Sequence, residues 1–226
     1  TAKLVKTKRV VLTAPPGAGK STAIPISLNK HSAFSEGKII VLEPRRLAVK
    51  QVASRMAQTL GEELGRTVGY RIRGEVKCGE KTKVEVVTEG ILIRMIQEDQ
   101  QLAGVSTIIF DEFHERSLNA DLGLAFCLEI ASVLRNDLKI LVMSATLEIT
   151  AVSKLMQDAP IVSCEGKSFP VTPIWQTKPV VQDQIIGKLI IDVILEAISE
   201  NKGSILVFLP GEGEIIKLAS SLINKV

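Results

Sequence analysis

Ala14-Pro15-Pro16-Gly17-Ala18-Gly19-Lys20-Ser21 is the stretch that decides the fold. It fits the pattern GxxxxGK[ST], with alanine in place of the first glycine. Immediately upstream, Arg9–Thr13 is short, β-branched and apolar, as a buried strand is. Immediately downstream, Ser21–Asn29 reads as a helix, with Pro25 in its second turn, where a slight kink is expected. Gly17 and Gly19 let the backbone of Pro16-Gly17-Ala18-Gly19 curl so that the successive N–H groups that follow Pro16 point at phosphate oxygens. The helix N-terminus adds its positive dipole end. In such a loop Lys20 reaches the β- and γ-phosphates of a nucleotide and the Ser21 hydroxyl ligates Mg²⁺. A plain Gly/Pro turn is the bland alternative, and the flanking strand and helix argue against it.

Further out, the same alternation repeats. Strands are predicted at Lys38–Leu42, Val84–Val87, Thr107–Phe110 and Lys139–Met143, all apolar on both faces. Helices are predicted at Arg46–Leu60, Gly90–Gln97 and Ala120–Leu134. Strand–helix alternation of this kind implies a doubly wound parallel α/β sheet with right-handed crossovers. From Gly166 to Lys178 the pattern breaks at Pro170 and Pro173, as a linker leading into an edge strand would. A helix over 182–200, a strand over Ser204–Leu209 and a helix over Glu212–Asn224 then follow, and the sequence stops inside helical patterning. We read these as the start of a second α/β domain that is cut short. Its Leu209-Pro210-Gly211-Glu212-Gly213-Glu214 partly echoes the first loop, but Glu214 stands where Lys20 stands and would repel phosphate.

Composition narrows the class. Of 226 residues, 46% are hydrophobic and 23% charged, the balance of a soluble globular protein rather than a disordered one. No apolar run reaches the roughly 18 residues of a membrane span, and no secretory leader follows the basic N-terminus. A cytoplasmic protein is expected. Cys78, Cys127 and Cys164 are widely spaced and odd in number, which points to ordinary reduced thiols rather than disulfides or a zinc site. The net charge is only +3, but it is unevenly spread. Residues 1–94 hold 18 lysines and arginines against 8 acids, and residues 95–170 hold 5 against 11. A basic face for a polyanion is compatible with this, and so is an unevenly charged solvated surface.

A second motif gives the loop its partner. Thr107-Ile108-Ile109-Phe110 ends in Asp111-Glu112-Phe113-His114, 91 residues after Lys20 for Asp111. At a strand's C-terminal edge Asp111 can hold Mg²⁺ through water, and Glu112 can orient and deprotonate an attacking water. Alone the pair is a weak signal; beside the glycine-rich loop it is a strong one. His114 adjoins it and is one of two histidines; His31 reads as an exposed bystander. Arg45 and Arg46 follow Pro44 at another strand end, where phosphate ligands gather.

Taken in order, APPGAGKST, EPRRLAV (Glu43–Val49), TEGIL (Thr88–Leu92), DEFHERS (Asp111–Ser117) and SAT (Ser144–Thr146) resemble the motifs of superfamily 2 helicases. DEFH is similar to the DEAH box, with Phe113 in place of alanine. VGYRIR, LVMSATLE and SILVFLPGEGEI extend the resemblance, over nearly the whole chain, to the bacterial HrpB-type DEAH-box helicases. The resemblance implies a P-loop NTPase (RecA-like) domain over 1–165, a linker and edge strand over 166–178, and a partial second RecA-like domain over 179–226. It implies ATP and Mg²⁺ at Lys20, Ser21, Thr22, Asp111 and Glu112. It gives His114, Ser144 and Thr146 the task of relaying the phosphate state, and Arg45, Arg46 and Thr88 a place along a nucleic-acid backbone.

The expected activity is ATP hydrolysis coupled to movement on nucleic acid or its unwinding, with RNA favoured over DNA. A nucleotide-dependent switch that holds a protein partner is the alternative, and a bare RNA-binding module a more distant one. Relatives of this kind supply an arginine finger late in the second domain, whereas no arginine follows Arg135 here. The remainder of that domain and accessory domains are expected in the parent protein, and the 226-residue chain is expected to bind nucleotide but turn it over slowly.

Overall fold

A parallel strand in the middle of a sheet is covered on both faces, so its residues must be apolar at every position. The strands read from the sequence nearly meet that demand, the buried exceptions being Thr107 and Glu85, which is paired with Lys38 and Arg71. The computed structural model of the chain describes residues 1–15, 17–145, 149–164, 170–175 and 188–223. They fall into two compact units, Thr1–Ser168 and Phe169–Val226.

In the first unit the strands are β1 (Arg9–Thr13), β2 (Lys38–Glu43), β3 (Val68–Ile72), β4 (Glu75–Lys77), β5 (Val84–Thr88), β6 (Val105–Phe110), β7 (Lys139–Ser144) and β8 (Ile161–Ser163). They form one sheet in the order β4-β3-β5-β2-β6-β7-β1-β8. All neighbours run parallel except β3 and β4, which form an antiparallel hairpin at one edge. The helices are α1 (Ala2–Thr7), α2 (Lys20–Asn29), α3 (Arg46–Leu60), α4 (Glu89–Glu98), α5 (Leu118–Val133) and α6 (Ile149–Leu155).

Alternation along each strand divides the core in two. Ile40, Leu42, Val87, Ile108, Phe110, Ile140 and Val142 face α4, α5 and α6. Ile39, Val41, Val84, Val86, Ile109, Leu141 and Met143 face α1, α2 and α3. The sheet is thus covered on both faces, the doubly wound arrangement that the alternation implied. Burying one such Val, Ile or Leu contributes about 1.5–3 kcal/mol, so the stacked β-branched runs hold the strand order firmly. Helix α2 runs unbroken through Pro25 to Asn29.

Among the elements that went unread in the sequence are β3 and β4, where Gly69 and Arg71 hide the strand pattern, and the short α6 and β8. Gly69 is needed there, because a Cβ would lie 2.5 Å from the Lys77 carbonyl and 2.7 Å from the Cys78 Sγ of the returning hairpin. The basic N-terminus is the short helix α1, also unanticipated.

The second unit contains α7 (Lys188–Glu200) and α8 (Glu212–Leu222), which meet through Ile191, Ile194 and Leu218. The expected strand at Ser204–Leu209 does not form: these residues join no ladder. A strand needs a neighbour for its N–H and C=O groups, and the described part of this unit supplies only helices. Leu206 and Phe208 stand 77% and 86% exposed. The expected edge strand is likewise absent from 170–175, and the rest of the linker, 166–169 and 176–178, lies outside the described residues, as does the predicted helix start at 182–187.

Candidate active site and nucleic-acid groove

The parallel sheet brings the C-terminal ends of β1, β2, β5, β6 and β7 to one edge, where open α/β sheets bind ligands. β1 releases the loop Ala14–Gly19 and α2 begins at Lys20. Gly17 and Gly19 adopt φ of +77° and +75°, left-handed conformations that favour glycine, and no atom beyond the adjoining residues lies within 4 Å of where a Cβ would stand on either. The loop therefore curls around open space. No side chain caps the start of α2, so its N-terminal dipole faces that space. Ala18 is exposed and donates its N–H to the Pro15 carbonyl at 3.3 Å, and the Thr22 hydroxyl donates back to the Gly19 carbonyl at 3.3 Å. Pro16 lies outside the described residues.

β7 separates β1 from β6, and the loop and the carboxylates meet across its end. Lys20 is buried and its Nζ lies 2.7 Å from Glu112 Oε1. Glu112 Oε2 lies 3.4 Å from His114 Nε2, and His114 Nδ1 accepts the Ala145 N–H at 3.3 Å. Because Nδ1 accepts, Nε2 carries the ring proton and points it at Glu112. A continuous line of polar contacts thus runs from the glycine-rich loop through Glu112 and His114 to the end of β7. Ser144 is buried beside His114 at the same small cavity, and Thr146 lies outside the described residues.

Behind this line sit two buried acids. Asp111 Oδ1 accepts the Glu112 N–H at 2.8 Å, while its Oδ2 and Glu43 Oε1 have no hydrogen-bond partner among the described residues. Burial raises the Asp111 pKa; the neighbouring Ser21 hydroxyl and Glu112 N–H oppose the rise. Burial, and then the adjacent Asp111 charge, push the Glu43 carboxyl up to about 9. Glu43 therefore keeps its proton through neutral pH, and the two acids titrate as a coupled pair. An unsatisfied buried carboxylate oxygen beside a serine hydroxyl suits a hydrated divalent cation, which takes few protein ligands when a polyphosphate supplies others. Glu43 carried no role in the sequence reading, since only its distance from Asp111 reveals it.

The backbone here is strained. Glu112 has φ 48° and Arg116 φ 46°, both positive and neither a glycine. They bracket a 3₁₀ turn at Phe113–Glu115, anchored by Phe113, whose ring meets Phe110 edge-on at 6.0 Å. Residues held in such regions cost about 1–3 kcal/mol each and cluster where function demands them.

On the neighbouring strand ends a groove of about 840 Å³ opens between the β3–β4 hairpin and α4. Arg46 and Thr88, both expected on a nucleic-acid track, line it together with Arg71, Arg73 and Arg94. Arg71 is held by Glu85, a wholly buried carboxylate that also pairs with Lys38. The sequence reading missed Arg71 and Arg73, although the Arg-x-Arg-Gly stretch before the tight turn was a usable signal. Arg45 is not in the groove but beside it, forked onto the Glu115 carboxylate at 3.1 Å.

Comparison with known proteins agrees with this geometry. A sequence model described as DEAD/DEAH box helicase matches residues 1–155. The chain is 47% identical over 218 residues to the ATP-dependent RNA helicase HrpB of Escherichia coli, covering 96% of this chain and 27% of that protein. It is 38% identical to the probable ATP-dependent RNA helicase DHR2 of Saccharomyces cerevisiae, covering 96% of this chain and 29% of that one. The crystal structure of the E. coli DEAH/RHA helicase HrpB superposes with a TM-score of 0.84 at 45% identity over 100% of this chain and 28% of the other. The sheet is accordingly the RecA-like sheet of that relative. The chain therefore spans little more than a quarter of these relatives, and with its motifs, fold and matches taken together it belongs to the DEAD/DEAH box helicase family.

Proposed function

We propose that the parent protein hydrolyses ATP to move along or unwind RNA, and that this chain carries its nucleotide site. The observation that carries the reading is the 2.7 Å contact between Lys20 and Glu112, which joins the phosphate-shaped loop to the paired carboxylates. The loop N–H groups and the α2 terminus cradle the phosphates. Ser21 and Asp111 would hold Mg²⁺, which neutralises charge on the β- and γ-phosphates.

A γ-phosphate at the loop competes with Glu112 for the Lys20 ammonium. Once Lys20 turns to phosphate, Glu112 Oε1 is free to accept a proton from a water in line with the γ-phosphorus. His114 keeps the other oxygen of Glu112 in place and connects it to the Ser144–Thr146 segment. Arg45, Arg46 and Thr88, with Arg71 and Arg73, grip the RNA by its phosphates, so binding is salt-dependent and weakly sequence-selective. Residues 179–226 begin a second RecA-like domain, which is completed, with accessory domains, beyond this chain. RNA is favoured over DNA because the relatives carry that name. Among the described residues no helix is long and apolar enough to cross a membrane, and a cytoplasmic site of action is part of the proposal.

The test is ATP hydrolysis by the full-length parent with and without single-stranded RNA or DNA. Stimulation by RNA, lost in Glu112→Gln, is the expected result. Hydrolysis indifferent to both polymers would replace the motor with a nucleotide switch that holds a protein partner.

A further inference from the structure

Two contacts of the Glu112–Ser117 turn have no part in the phosphate chemistry above. In the first, Arg45 Nη2 donates to both oxygens of Glu115 at 3.1 Å. In the second, the Ser117 hydroxyl donates to Glu89 Oε2 at 2.5 Å while accepting the Ala120 N–H at 2.9 Å. Arg45 adjoins Arg46, and Glu89 adjoins Thr88. The turn that follows Asp111 and Glu112 is therefore tied to both segments assigned to the nucleic-acid backbone.

The two ties differ in strength. Ser117 is partly buried, caps α5 and holds Glu89, so it is a fixed point. The Arg45–Glu115 pair is 73% and 35% exposed, and such a pair is worth only a factor of about five or less in an equilibrium. A phosphodiester offers a guanidinium the same two-oxygen geometry as a carboxylate. It can therefore take Arg45 from Glu115 at little cost, and its charge then repels the carboxylate it has displaced. Glu115 ends the 3₁₀ turn whose two boundaries, Glu112 and Arg116, both sit at strained positive φ, Glu112 in the left-handed helical region and Arg116 outside it. With Ser117 fixed, movement of Glu115 falls on those two hinges. One of them is Glu112 itself, the residue in contact with Lys20.

We propose that Glu115 is a coupling residue: it holds Arg45 until a nucleic-acid phosphate displaces it, and the displacement reorients Glu112 through the Phe113–Glu115 turn. Glu115 touches neither reacting atom; it acts through Arg45 on one side and Glu112 on the other. The inference rests on the RNA-stimulated reading of the preceding section.

Glu115→Gln in the full-length parent tests it, with a fluorescent single-stranded oligouridylate as the RNA probe. The unstimulated hydrolysis rate and the KM for ATP should stay at wild-type values. Affinity for the probe should rise by up to about fivefold, the worth of the lost competitor. The ratio of RNA-stimulated to unstimulated rate should fall by about two- to thirtyfold, the span of measured coupling changes. Adding Glu115→Gln to Arg45→Ala should change neither quantity further, because the partner is already gone. A purely structural role would instead lower the unstimulated rate and leave the ratio intact, and that result overturns the proposal. A wild-type ratio and affinity in Glu115→Gln, with the wild type itself stimulated, overturns the coupling alone. A wild type that ignores RNA overturns the function and the coupling together.

Discussion

Replacing Glu43 by glutamine should stabilise the protein, and increasingly so as the pH rises. Glu43 ends β2 and is 3% exposed, with Oε1 unpaired among the described residues and the Asp111 carboxylate beside it. Burial first, and Asp111 second, push its pKa up to about 9, against an ordinary value of 4.5. The raised value fixes the sign. Between those limits the unfolded chain has released this proton and the native chain retains it, so stability falls with pH by about 1.4 kcal/mol per unit from this group. Below about pH 4.5 the penalty vanishes, and above about 9 it stops growing. At pH 7 it amounts to about 3 kcal/mol as an upper figure, since Asp111 titrates with it. Glutamine has the shape of the neutral acid, can donate to Asp111 and has no proton to lose. Urea unfolding of both proteins in EDTA at pH 5.5, 7 and 8.5 measures the difference. The variant's advantage should widen across the series by a few kcal/mol. Parallel pH dependences would mean that Glu43 is ionised at neutral pH, and the account of Glu43 as a protonated acid beside Asp111 would fall.

Two further substitutions separate fold from site. Gly19→Ala places a Cβ in space that no protein atom occupies, at a φ of +75°. Unfolding should show a loss of about 1 kcal/mol, while affinity for a fluorescent ATP analogue should drop at least about tenfold, because the methyl stands where the backbone must approach phosphate. Arg135 Nη1 and Nη2 donate to the carbonyls of Gln101, Leu102 and Val105 at 3.0–3.2 Å, and its Nε and Nη2 grip Asp137 at 2.8 and 2.7 Å. Arg135→Ala removes all of these bonds, leaving the Leu102 carbonyl only the Val105 N–H, and should cost about 2–4 kcal/mol in urea unfolding, with nucleotide affinity unchanged.

The legible part of the fold was whatever adjacent residues decide. Val10–Leu12 and Ile39–Leu42 are apolar at successive positions, and only a strand covered on both faces uses that pattern. That the glycine-rich loop and the Asp111–Glu112 pair belong to one site was also legible, because a glycine-rich loop and an acid-tipped strand make sense only together; the direct contact of Lys20 with Glu112 was not. What stayed hidden depends on neighbours distant in sequence. The raised pKa of Glu43 comes from burial beside Asp111, and the setting of Arg71 comes from Glu85 on another strand. The fork of Arg45 onto Glu115 bridges two loops, which no local pattern records. Gly69 and Arg71 hid β3, because only the returning hairpin explains them. The failed strand at Ser204–Leu209 is the converse case: the local pattern is right for a strand, but no partner strand forms against it among the described residues.

That last segment governs how the polypeptide behaves in a test tube. Ile205, Leu206, Val207 and Phe208 present four consecutive apolar side chains to water, on backbone that joins no ladder. A short run with high β-propensity and no charge is a template for any identical run it meets. Preparations limited to these 226 residues therefore have a concentration ceiling set by self-association through this stretch. Stopping before it, or continuing until a strand covers it, lifts that ceiling, and the choice of end point decides whether the nucleotide site can be assayed in solution at all.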